Sequence, residues 1–483
     1  MLKSFADPTH FGEKLAMKAN FPISANFISG LFILFDSLAI LASGLALHHY
    51  MVSDANLSDE YLAAISFIWL TTIMLLNFGG LYQFEAITRP LSVWDKLIIS
   101  FVTAFLFLLA IAFALKVSST FSRVWIVSFA ATSATSTVCL RLFASYVVNK
   151  LSDIRTFTRH VLIVGGGDQA RRLIEHYNAE KPRFVSLVGI FANEDEVDLG
   201  AACCPRLGRL DQLLAYARNN RVDDVVIAMP WSQDGELMRL IATLRELPLN
   251  IYLSSDLIGF RVSFRPPPSH FSNLPILQVM GRPLSGWDVV AKTVEDYVLA
   301  TLAIVVLLPV FALLALAVKL DSPGPVFFKQ KRLGFNNRAF TIYKFRTMRH
   351  EADKHGKTKQ AQRNDPRVTR LGYFLRRTSL DELPQLINVL DGSMSLVGPR
   401  PHAIDHNEDY AQQIRGYFAR HRVKPGITGW AQVNGLRGET DTLNKMEARV
   451  SHDIYYTENW SLLFDLKILM RTIVISLGGK NAY

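Results

Sequence analysis

Two adjacent carboxylates, Asp381 and Glu382, follow a pair of arginines in the stretch Arg376-Arg-Thr-Ser-Leu-Asp-Glu-Leu-Pro384. Pro384 suits the first turn of a helix, where its missing N–H is not needed, so the sequence predicts a helix that begins near Asp381. The N-terminus of a helix favours anions, which predicts that both carboxylates are ionised and that a phosphate binds beside them. This arrangement indicates phosphoryl-transfer chemistry.

The same spacing also has a purely structural interpretation. Ser379-x-x-Glu382 matches a capping box, and Asp381 is itself a good capping residue. The surrounding charge favours chemistry, because cations fill Lys344–Arg349 upstream and two prolines fix one guanidinium in Pro399-Arg400-Pro401. Catalysis of phosphoryl transfer is mostly positioning and charge neutralisation, which such cations supply. The carboxylate could coordinate Mg²⁺ or attack phosphorus to give an aspartyl-phosphate.

Apolar runs place this chemistry at a membrane. Hydrophobic residues make up 50% of the 483, and the mean hydropathy is +0.19. Asp36 and Arg141 lie inside two of the runs and could pair there, since buried intramembrane charges are costly. The four runs before residue 150 each approach the ~20 residues that cross a bilayer as a helix. They are Ala25–Leu47, Tyr61–Tyr82, Leu97–Leu115 and Val124–Val148.

The distribution of charge predicts how the apolar segments are oriented in the membrane and which partners the protein binds. Lysines and arginines precede the first run, separate the second from the third and follow the fourth, whereas the loop after the first run carries only acidic charge. A four-helix transmembrane bundle over residues 1–150 would therefore have both ends in the cytoplasm. The net charge of +10 beside membrane segments indicates phosphorylated substrates and anionic lipid, and no nucleic-acid partner. The three cysteines lack metal spacing.

Residues 151–275 predict a parallel α/β unit, because strands and helices alternate there. The strand His160–Val164 leads into Gly165-x-Gly167-x-x-Ala170 and a helix, which is the shape of a dinucleotide-phosphate turn. Glu194 and Asp195, after the second strand, could hold a ribose. The signal is weak alone, so a Rossmann-like fold without a ligand, or with a regulatory nucleotide, is the favoured alternative.

The last segment, residues 276–483, opens with the apolar run Tyr297–Val318, which is long enough to cross a bilayer. Basic residues on both sides, and Pro309 where a hairpin needs its turn, favour a re-entrant helix that enters and leaves the same face. A kinked spanning helix is the alternative, since such helices tolerate proline. Further on, Trp460–Leu477 predicts either an amphipathic helix on the membrane surface or an ordinary core helix.

Several long motifs resemble one family. From about Gly286 the chain is similar to the bacterial sugar transferases, which are polyprenyl-phosphate hexose-1-phosphate transferases. Four apolar spans and a Rossmann-like unit in front resemble the large members that start exopolysaccharide or colanic-acid-type repeat units. The matching stretches are Phe328–Gly334, Tyr343–Met348, Thr378–Pro384, Leu396–Pro401 and Val423–Gly435.

The resemblance implies a monotopic α/β catalytic domain with a re-entrant helix and a ping-pong reaction. It implies a UDP-hexose donor, glucose before galactose, and undecaprenyl phosphate as the acceptor. Asp381 matches the nucleophile that forms a covalent phosphosugar intermediate with release of UMP. Glu382 matches its dyad partner, and Mg²⁺ is expected at Asp381. The expected location is the bacterial cytoplasmic (inner) membrane, with the catalytic domain facing the cytoplasm. The protein is expected to be a homo-oligomer, namely a dimer.

The resemblance also implies roles for other positions. Arg376 and Arg400 match phosphate-binding arginines, and Lys344 and Pro401 are expected in the same site. Pro309 matches the proline that breaks the re-entrant helix, although Leu308 stands where small members carry a serine.

The residues leave one other enzyme class open, a membrane-anchored NAD-dependent sugar-nucleotide dehydratase or epimerase that uses the Gly165 turn. It is disfavoured, because between residues 158 and 275 the Tyr-x-x-x-Lys spacing occurs only at Tyr177–Lys181, before the second strand, whereas such chemistry needs the pair after the early strands.

Overall fold

The chain divides into two compact units. One is Phe21–Thr158 and the other contains Arg159–Tyr483. In this computed structural model the described residues are 25–52, 57–83, 86–87, 93–152, 158–180, 185–193, 204–254, 276–349, 365–402, 410–414, 416–436, 438 and 442–478.

The smaller unit contains four long helices that share an apolar core, in which Ile40, Ile68 and Trp125 are fully buried. Each helix is long and apolar enough to cross a membrane, and together they confirm the four apolar runs as helices. Their bounds are α1 Ala25–Met51, α2 Asp59–Phe78, α3 Trp94–Ala114 and α4 Arg123–Ser152.

Asp36 of α1 and Arg141 of α4 form a buried ion pair, as their positions in the sequence suggested. The Arg141 Nη2 atom lies 2.5 Å from Asp36 Oδ2, and Tyr82 donates its hydroxyl to the same oxygen at 3.0 Å. Arg141 also donates to the Leu81 carbonyl at 3.2 Å. One negative and one positive charge therefore balance each other inside the helix core.

The larger unit begins with a six-stranded sheet in the order β3-β2-β1-β4-β5-β6. Its first five strands pair in parallel and β6 pairs antiparallel with β5. The strands are β1 Arg159–Val164, β2 Val185–Phe191, β3 Arg206–Gly208, β4 Asp224–Ile227, β5 Asn250–Ser254 and β6 Ile276–Met280; the helices between them are α5 Asp168–Glu180, α6 Leu213–Asn219 and α7 Asp234–Leu244.

The predicted strand–turn–helix is present at the start of this sheet. Gly165 has φ of +109°, and a Cβ there would meet the Ala228 carbonyl oxygen at 2.6 Å, so this turn requires glycine. Glu194 and Asp195 lie outside the described residues, and their contact with a ribose stays a prediction. The sheet also includes β6, which lies beyond residue 275.

A single helix, α8 Trp287–Asp321, follows the sheet. It is helical on both sides of Pro309, where the sequence predicted the turn of a re-entrant helix. Proline is a common cause of a sharp bend within a helix, so this helical backbone is compatible with a change of direction at Pro309. Toward its start, Asp296 accepts hydrogen bonds from the Ser395 hydroxyl at 3.0 Å and the Leu396 N–H at 2.9 Å. Toward its end, the Val318 carbonyl accepts from Arg346 at 3.2 Å.

The remaining chain forms a small α/β assembly around α8. Its strands are the antiparallel hairpin β7 Phe327–Leu333 and β8 Ala339–Phe345, and the parallel pair β9 Ser395–Val397 and β10 Gly426–Thr428. Its helices are α9 Arg370–Thr378, α10 Gln385–Leu390, α11 Trp430–Val433, α12 Leu443–Glu458 and α13 Leu462–Gly478. α13 buries Ile468 and leaves Leu463, Met470 and Val474 exposed, and its location on a membrane surface stays a prediction.

The helix predicted to begin near Asp381 starts later. Ser379 ends α9 in the left-handed region, with φ of +60°, and Leu380–Glu382 form one 3₁₀ turn before α10 begins at Gln385. The left-handed residue reverses the chain direction, so the two carboxylates lie in a tight turn between two helices.

Candidate active site

The turn that carries Asp381 and Glu382 is buried; each residue is less than 10% exposed. Asn388 of α10 holds this region against β8. Its side-chain oxygen accepts from the Tyr343 N–H at 3.0 Å, and its amide donates to the Thr341 carbonyl at 2.8 Å. One amide side chain thus continues the hydrogen bonding of a strand edge and fixes the helix that follows the dyad.

Glu382 is bound by two cations. Its carboxylate accepts from Lys344 Nζ at 2.7 Å and from both terminal nitrogens of Arg400, at 3.0 and 2.5 Å. The Arg400 contact is bidentate, the strongest geometry for a guanidinium and a carboxylate. Because the Glu382 side chain points to these cations, the capping-box interpretation of Ser379-x-x-Glu382 is wrong.

The hairpin β7–β8 brings Lys344 to the site together with Arg332. Lys344 lies opposite Phe328, and alternation along β7 puts Phe328, Gln330 and Arg332 on one face. Arg332 donates to the Pro401 carbonyl at 3.2 Å. Sequence reasoning did not assign Arg332 to the site, although its two-residue spacing from Gln330 and Phe328 was a usable signal.

Arg376 comes from the last turn of α9. Its Nε donates to the Thr347 hydroxyl at 2.9 Å. The helix can approach this closely because of Gly372, where a Cβ would lie 2.1 Å from the Thr347 carbonyl oxygen. The N-terminus of α9 is capped by Thr369, which accepts from the Gly372 N–H at 2.9 Å.

The predicted site residues therefore converge. Lys344, Arg376 and Arg400 all act electrostatically on Asp381, and Arg332 acts on Glu382. Pro401 contributes its carbonyl and fixes the chain beside Arg400. Pro309 lies within α8, and no contact of its side chain with this cluster is seen among the described residues.

The two carboxylates differ in their pKa. Burial raises the pKa of Asp381 to about 6, and the neighbouring Glu382 charge adds to this rise, while Lys344, Arg376 and Arg400 lower it. Burial also acts to raise the pKa of Glu382, but Arg400 and Lys344 hold it well below its usual range. Both groups are therefore mainly ionised at pH 7, as the sequence predicted.

Asp381 differs from its neighbour in its hydrogen bonding as well. Within the described residues its carboxylate accepts no hydrogen bond, while the cations that surround it are engaged by Glu382 and Thr347. An ionised, buried carboxylate without a donor can attack an electrophile or coordinate a cation.

Comparison with known proteins decides the family. The bacterial sugar transferase family model matches residues 287–479. A UDP-glucose:undecaprenyl-phosphate glucose-1-phosphate transferase of Xanthomonas campestris pv. campestris is 37% identical over 460 residues, which is 93% of each chain. The chain belongs to the bacterial sugar transferase family.

Two further relatives bear on this sugar transferase. The protein of the same description from Escherichia coli strain K12 is 41% identical over 365 residues, 75% of this chain and 76% of that one. A UDP-N-acetylgalactosamine-undecaprenyl-phosphate N-acetylgalactosaminephosphotransferase of Aeromonas hydrophila is 43% identical over 291 residues, 60% of this chain and 62% of that one. A second family model, described as a CoA-binding domain, matches residues 77–255 of the transferase.

The site of the transferase offers Mg²⁺ one carboxylate, that of Asp381. No group of three or more histidine, cysteine or acidic side chains that could hold a metal occurs in the described part of the chain. Mg²⁺ however commonly binds one or two carboxylates together with substrate phosphates and water. Asp381 fits this role, because the oxygens of Glu382 are occupied by Lys344 and Arg400.

Proposed function

We propose that this chain transfers glucose 1-phosphate from UDP-glucose to undecaprenyl phosphate, releases UMP, and thereby starts an exopolysaccharide repeat unit. The activities named for the Escherichia coli and Xanthomonas relatives support this donor and acceptor. UDP-galactose is the alternative donor. The observation that carries the proposal is the geometry of Asp381, a buried carboxylate to which no described residue donates a hydrogen bond, beside a carboxylate bound by two cations.

In the first step Asp381 attacks the phosphorus that carries the sugar. An oxygen–phosphorus bond forms, the bond from that phosphorus to the bridging oxygen breaks, and UMP leaves with the electron pair. The nucleophile is already an anion above its pKa of about 6, so no proton has to be removed. Arg376, Arg400 and Lys344 neutralise the phosphate charge, which is the main requirement of this reaction class.

In the second step a phosphate oxygen of undecaprenyl phosphate attacks the same phosphorus. The bond to Asp381 breaks and the carboxylate returns to its starting state. Two displacements let the soluble UMP leave before the lipid acceptor reacts. Throughout, Glu382 keeps Arg400 and Lys344 beside the nucleophile, and Pro401 limits the backbone freedom of Arg400.

Mg²⁺ is the proposed cofactor, held by Asp381 together with the donor phosphates. When bound, it would supply further neutralisation of the phosphate oxygens. Its contribution is separable from that of the protein cations by titrating Mg²⁺ against UDP-glucose binding.

A re-entrant course of α8 is part of the proposal. Asp296 and Val318 both contact the same α/β assembly, yet they are separated by about 33 Å at the rise of a straight α-helix. The apolar core of a bilayer is about 30 Å thick. A helix that crossed the bilayer would carry one of these ends to the far side. Asp296 instead contacts Ser395 of β9, and Val318 contacts Arg346, and both partners belong to the same α/β assembly.

We further propose that α1–α4 form a transmembrane bundle in the cytoplasmic (inner) membrane and that the catalytic assembly faces the cytoplasm. The positive charge at both ends of the bundle supports this orientation. A cysteine in place of the exposed Lys329 should react with an impermeant thiol reagent only from the cytoplasmic side. A dimer also stays a prediction, which light scattering of the detergent-solubilised protein tests.

The deciding experiment measures UMP release by the full chain in lipid nanodiscs with Mg²⁺ and undecaprenyl phosphate, with UDP-glucose or UDP-galactose as the donor. UDP-glucose should be the better donor, and Asp381→Asn should lower UMP release at least ~1000-fold, since it removes the nucleophile. Asp391→Asn, which changes an exposed carboxylate after α10, is the matched control and should retain activity. Full activity of Asp381→Asn would refute the proposed nucleophile.

A further inference from the structure

Arg420 is a fully buried arginine in the 3₁₀ segment Tyr417–Arg422. A buried guanidinium is costly unless a charge and hydrogen-bond acceptors surround it. The acceptors of such a residue therefore indicate what it stabilises. The sequence had indicated nothing at this position, and the mechanism above does not use it.

The guanidinium of Arg420 contacts three groups from two parts of the chain. Its Nη2 lies 2.7 Å from Asp453 Oδ2 of α12 and donates to the Arg400 carbonyl at 2.5 Å. Its Nη1 lies 3.0 Å from His402 Nδ1. Asp453 supplies the balancing charge, and the other two groups both belong to the chain around Arg400.

The segment Pro399–His402 is held from several directions. The Tyr417 hydroxyl lies 2.7 Å from His402 Nδ1. Burial lowers the pKa of His402 well below its usual range, and Arg420 adds to this effect, so the imidazole is neutral and can accept a hydrogen bond. With Arg332 on the Pro401 carbonyl, two guanidiniums fix consecutive carbonyls while the Arg400 side chain extends to Glu382.

We propose that Arg420, charge-balanced by Asp453, is a positioning residue that fixes the Arg400 backbone so that the Arg400 guanidinium meets Glu382 and the donor phosphate. The inference rests on the proposed transferase function. A lysine cannot replace Arg420, because a single ammonium lacks the planar fork that reaches Asp453, His402 and the Arg400 carbonyl together. A displacement of about 1 Å at a catalytic group can lower the rate ~100-fold.

Positioning and general packing predict different double-mutant behaviour. If Arg420 acts through Arg400, its loss has little further effect once Arg400 is already altered, because the two residues contribute to one interaction. If Arg420 only supports the fold, its effect is the same in both backgrounds. The comparison therefore needs Arg420→Lys, Arg400→Lys and the double variant.

The assay is steady-state UMP release from UDP-glucose with undecaprenyl phosphate by the full chain in nanodiscs. Arg420→Lys should lower kcat/KM about 30-fold in the wild-type background and less than about 3-fold in the Arg400→Lys background. Arg422→Lys is the matched control, since Arg422 is a buried arginine of the same segment that donates to the Gly281 carbonyl instead. Its small effect should be equal in both backgrounds.

Tyr417→Phe is the alternative variant for the same double-mutant comparison if Arg420→Lys does not fold. It removes one hydroxyl beside His402 and should lower kcat/KM roughly 3- to 10-fold, again only while Arg400 is intact. Equal losses in the two backgrounds, for whichever of these variants folds, would overturn the inference. Absence of UMP release by the wild-type protein would instead refute the proposed function, so the two failures are distinguishable.

Discussion

Two carboxylate–guanidinium pairs in this protein have the same shortest nitrogen–oxygen distance and different surroundings. In the four-helix unit, Arg141 lies 2.5 Å from Asp36. In the larger unit, Arg400 lies 2.5 Å from Glu382. The first pair is balanced one to one. At the second, Lys344, Arg376 and Arg332 add positive charge that the carboxylates Glu382 and Asp381 do not fully offset.

The difference indicates how a structural ion pair can be told from a binding site. Arg141 directs its other hydrogen bond to the Leu81 carbonyl, which ties the chain after α2 to the helix core. At the turn that carries Asp381, four cations among the described residues face two carboxylates, and the excess of two positive charges would suit the diphosphate of a nucleotide sugar. Excess charge of one sign in a buried cluster therefore indicates a ligand of the opposite sign.

Asp36→Asn is expected to produce the largest change in stability. It leaves the Arg141 guanidinium buried without a counter-charge, which costs about 3–5 kcal/mol of unfolding free energy. Thermal unfolding in detergent should show a clear decrease in Tm. The folded fraction should keep its UMP release within about threefold of wild type. A folded but inactive Asp36→Asn protein would mean that this pair is not merely structural.

Glu382→Gln should act mainly on catalysis. It keeps the shape of the side chain but removes the anion that holds Lys344 and Arg400, so kcat/KM should decrease about 100-fold, the loss typical of one misplaced electrostatic group. Steady-state UMP release measures this. Glu447→Gln, an exposed position on α12, is the matched control. If Glu382→Gln released UMP as fast as the control, the dyad would need no anion at this position.

Asp381→Asn should stabilise the fold above pH 6. The pKa of Asp381 is raised in the folded state to about 6, so ionising this buried carboxylate opposes folding at higher pH. Removing it should add roughly 2–3 kcal/mol to the unfolding free energy at pH 8, at 1.36 kcal/mol per pKa unit. The gain should shrink as pH falls below about 6 and vanish only below the ordinary aspartate pKa of 3.8, where Asp381 is neutral in both states. A pH-independent difference in Tm would contradict this origin.

The pH dependence of the first step should show the smallest effect. UMP release in the absence of acceptor should decline as pH falls through about 6, as Asp381 becomes protonated. The charge of Glu382 raises this pKa and that of Arg376 lowers it. Glu382→Gln should therefore move the acidic limb to lower pH, and Arg376→Gln should move it to higher pH. Shifts in the same direction would refute the assigned electrostatics.

Much of the fold was predictable from sequence patterns that are long or that repeat along the chain. Apolar runs of membrane length predicted α1–α4, and the alternation of strands and helices predicted the parallel sheet. Two strands of this sheet were missed: Arg206–Gly208 has only three residues, and Ile276–Met280 follows a proline-rich stretch that suggested the end of the unit. Short strands are defined by their neighbours in the sheet, which local sequence does not reveal.

The site was predictable where residues lie close in sequence or match a motif. Asp381 and Glu382 stand side by side, and Arg400 lies between two prolines. The helix start was misplaced because left-handed Ser379 turns the chain before α10, and serine rarely adopts that conformation. Arg332 and Arg420 reach the site only through tertiary contacts. Their burial depends on β7 and on α12, about which spacing carries no information.

The most direct test is detection of the phosphosugar on the nucleophile. The full chain in nanodiscs is incubated with UDP-glucose and Mg²⁺ but no acceptor, quenched, digested and analysed by peptide mass spectrometry. We expect one hexose-phosphate on Asp381 that disappears when undecaprenyl phosphate is added. A protein that turns over with both substrates yet carries the group on another residue, or never carries it, would contradict the account.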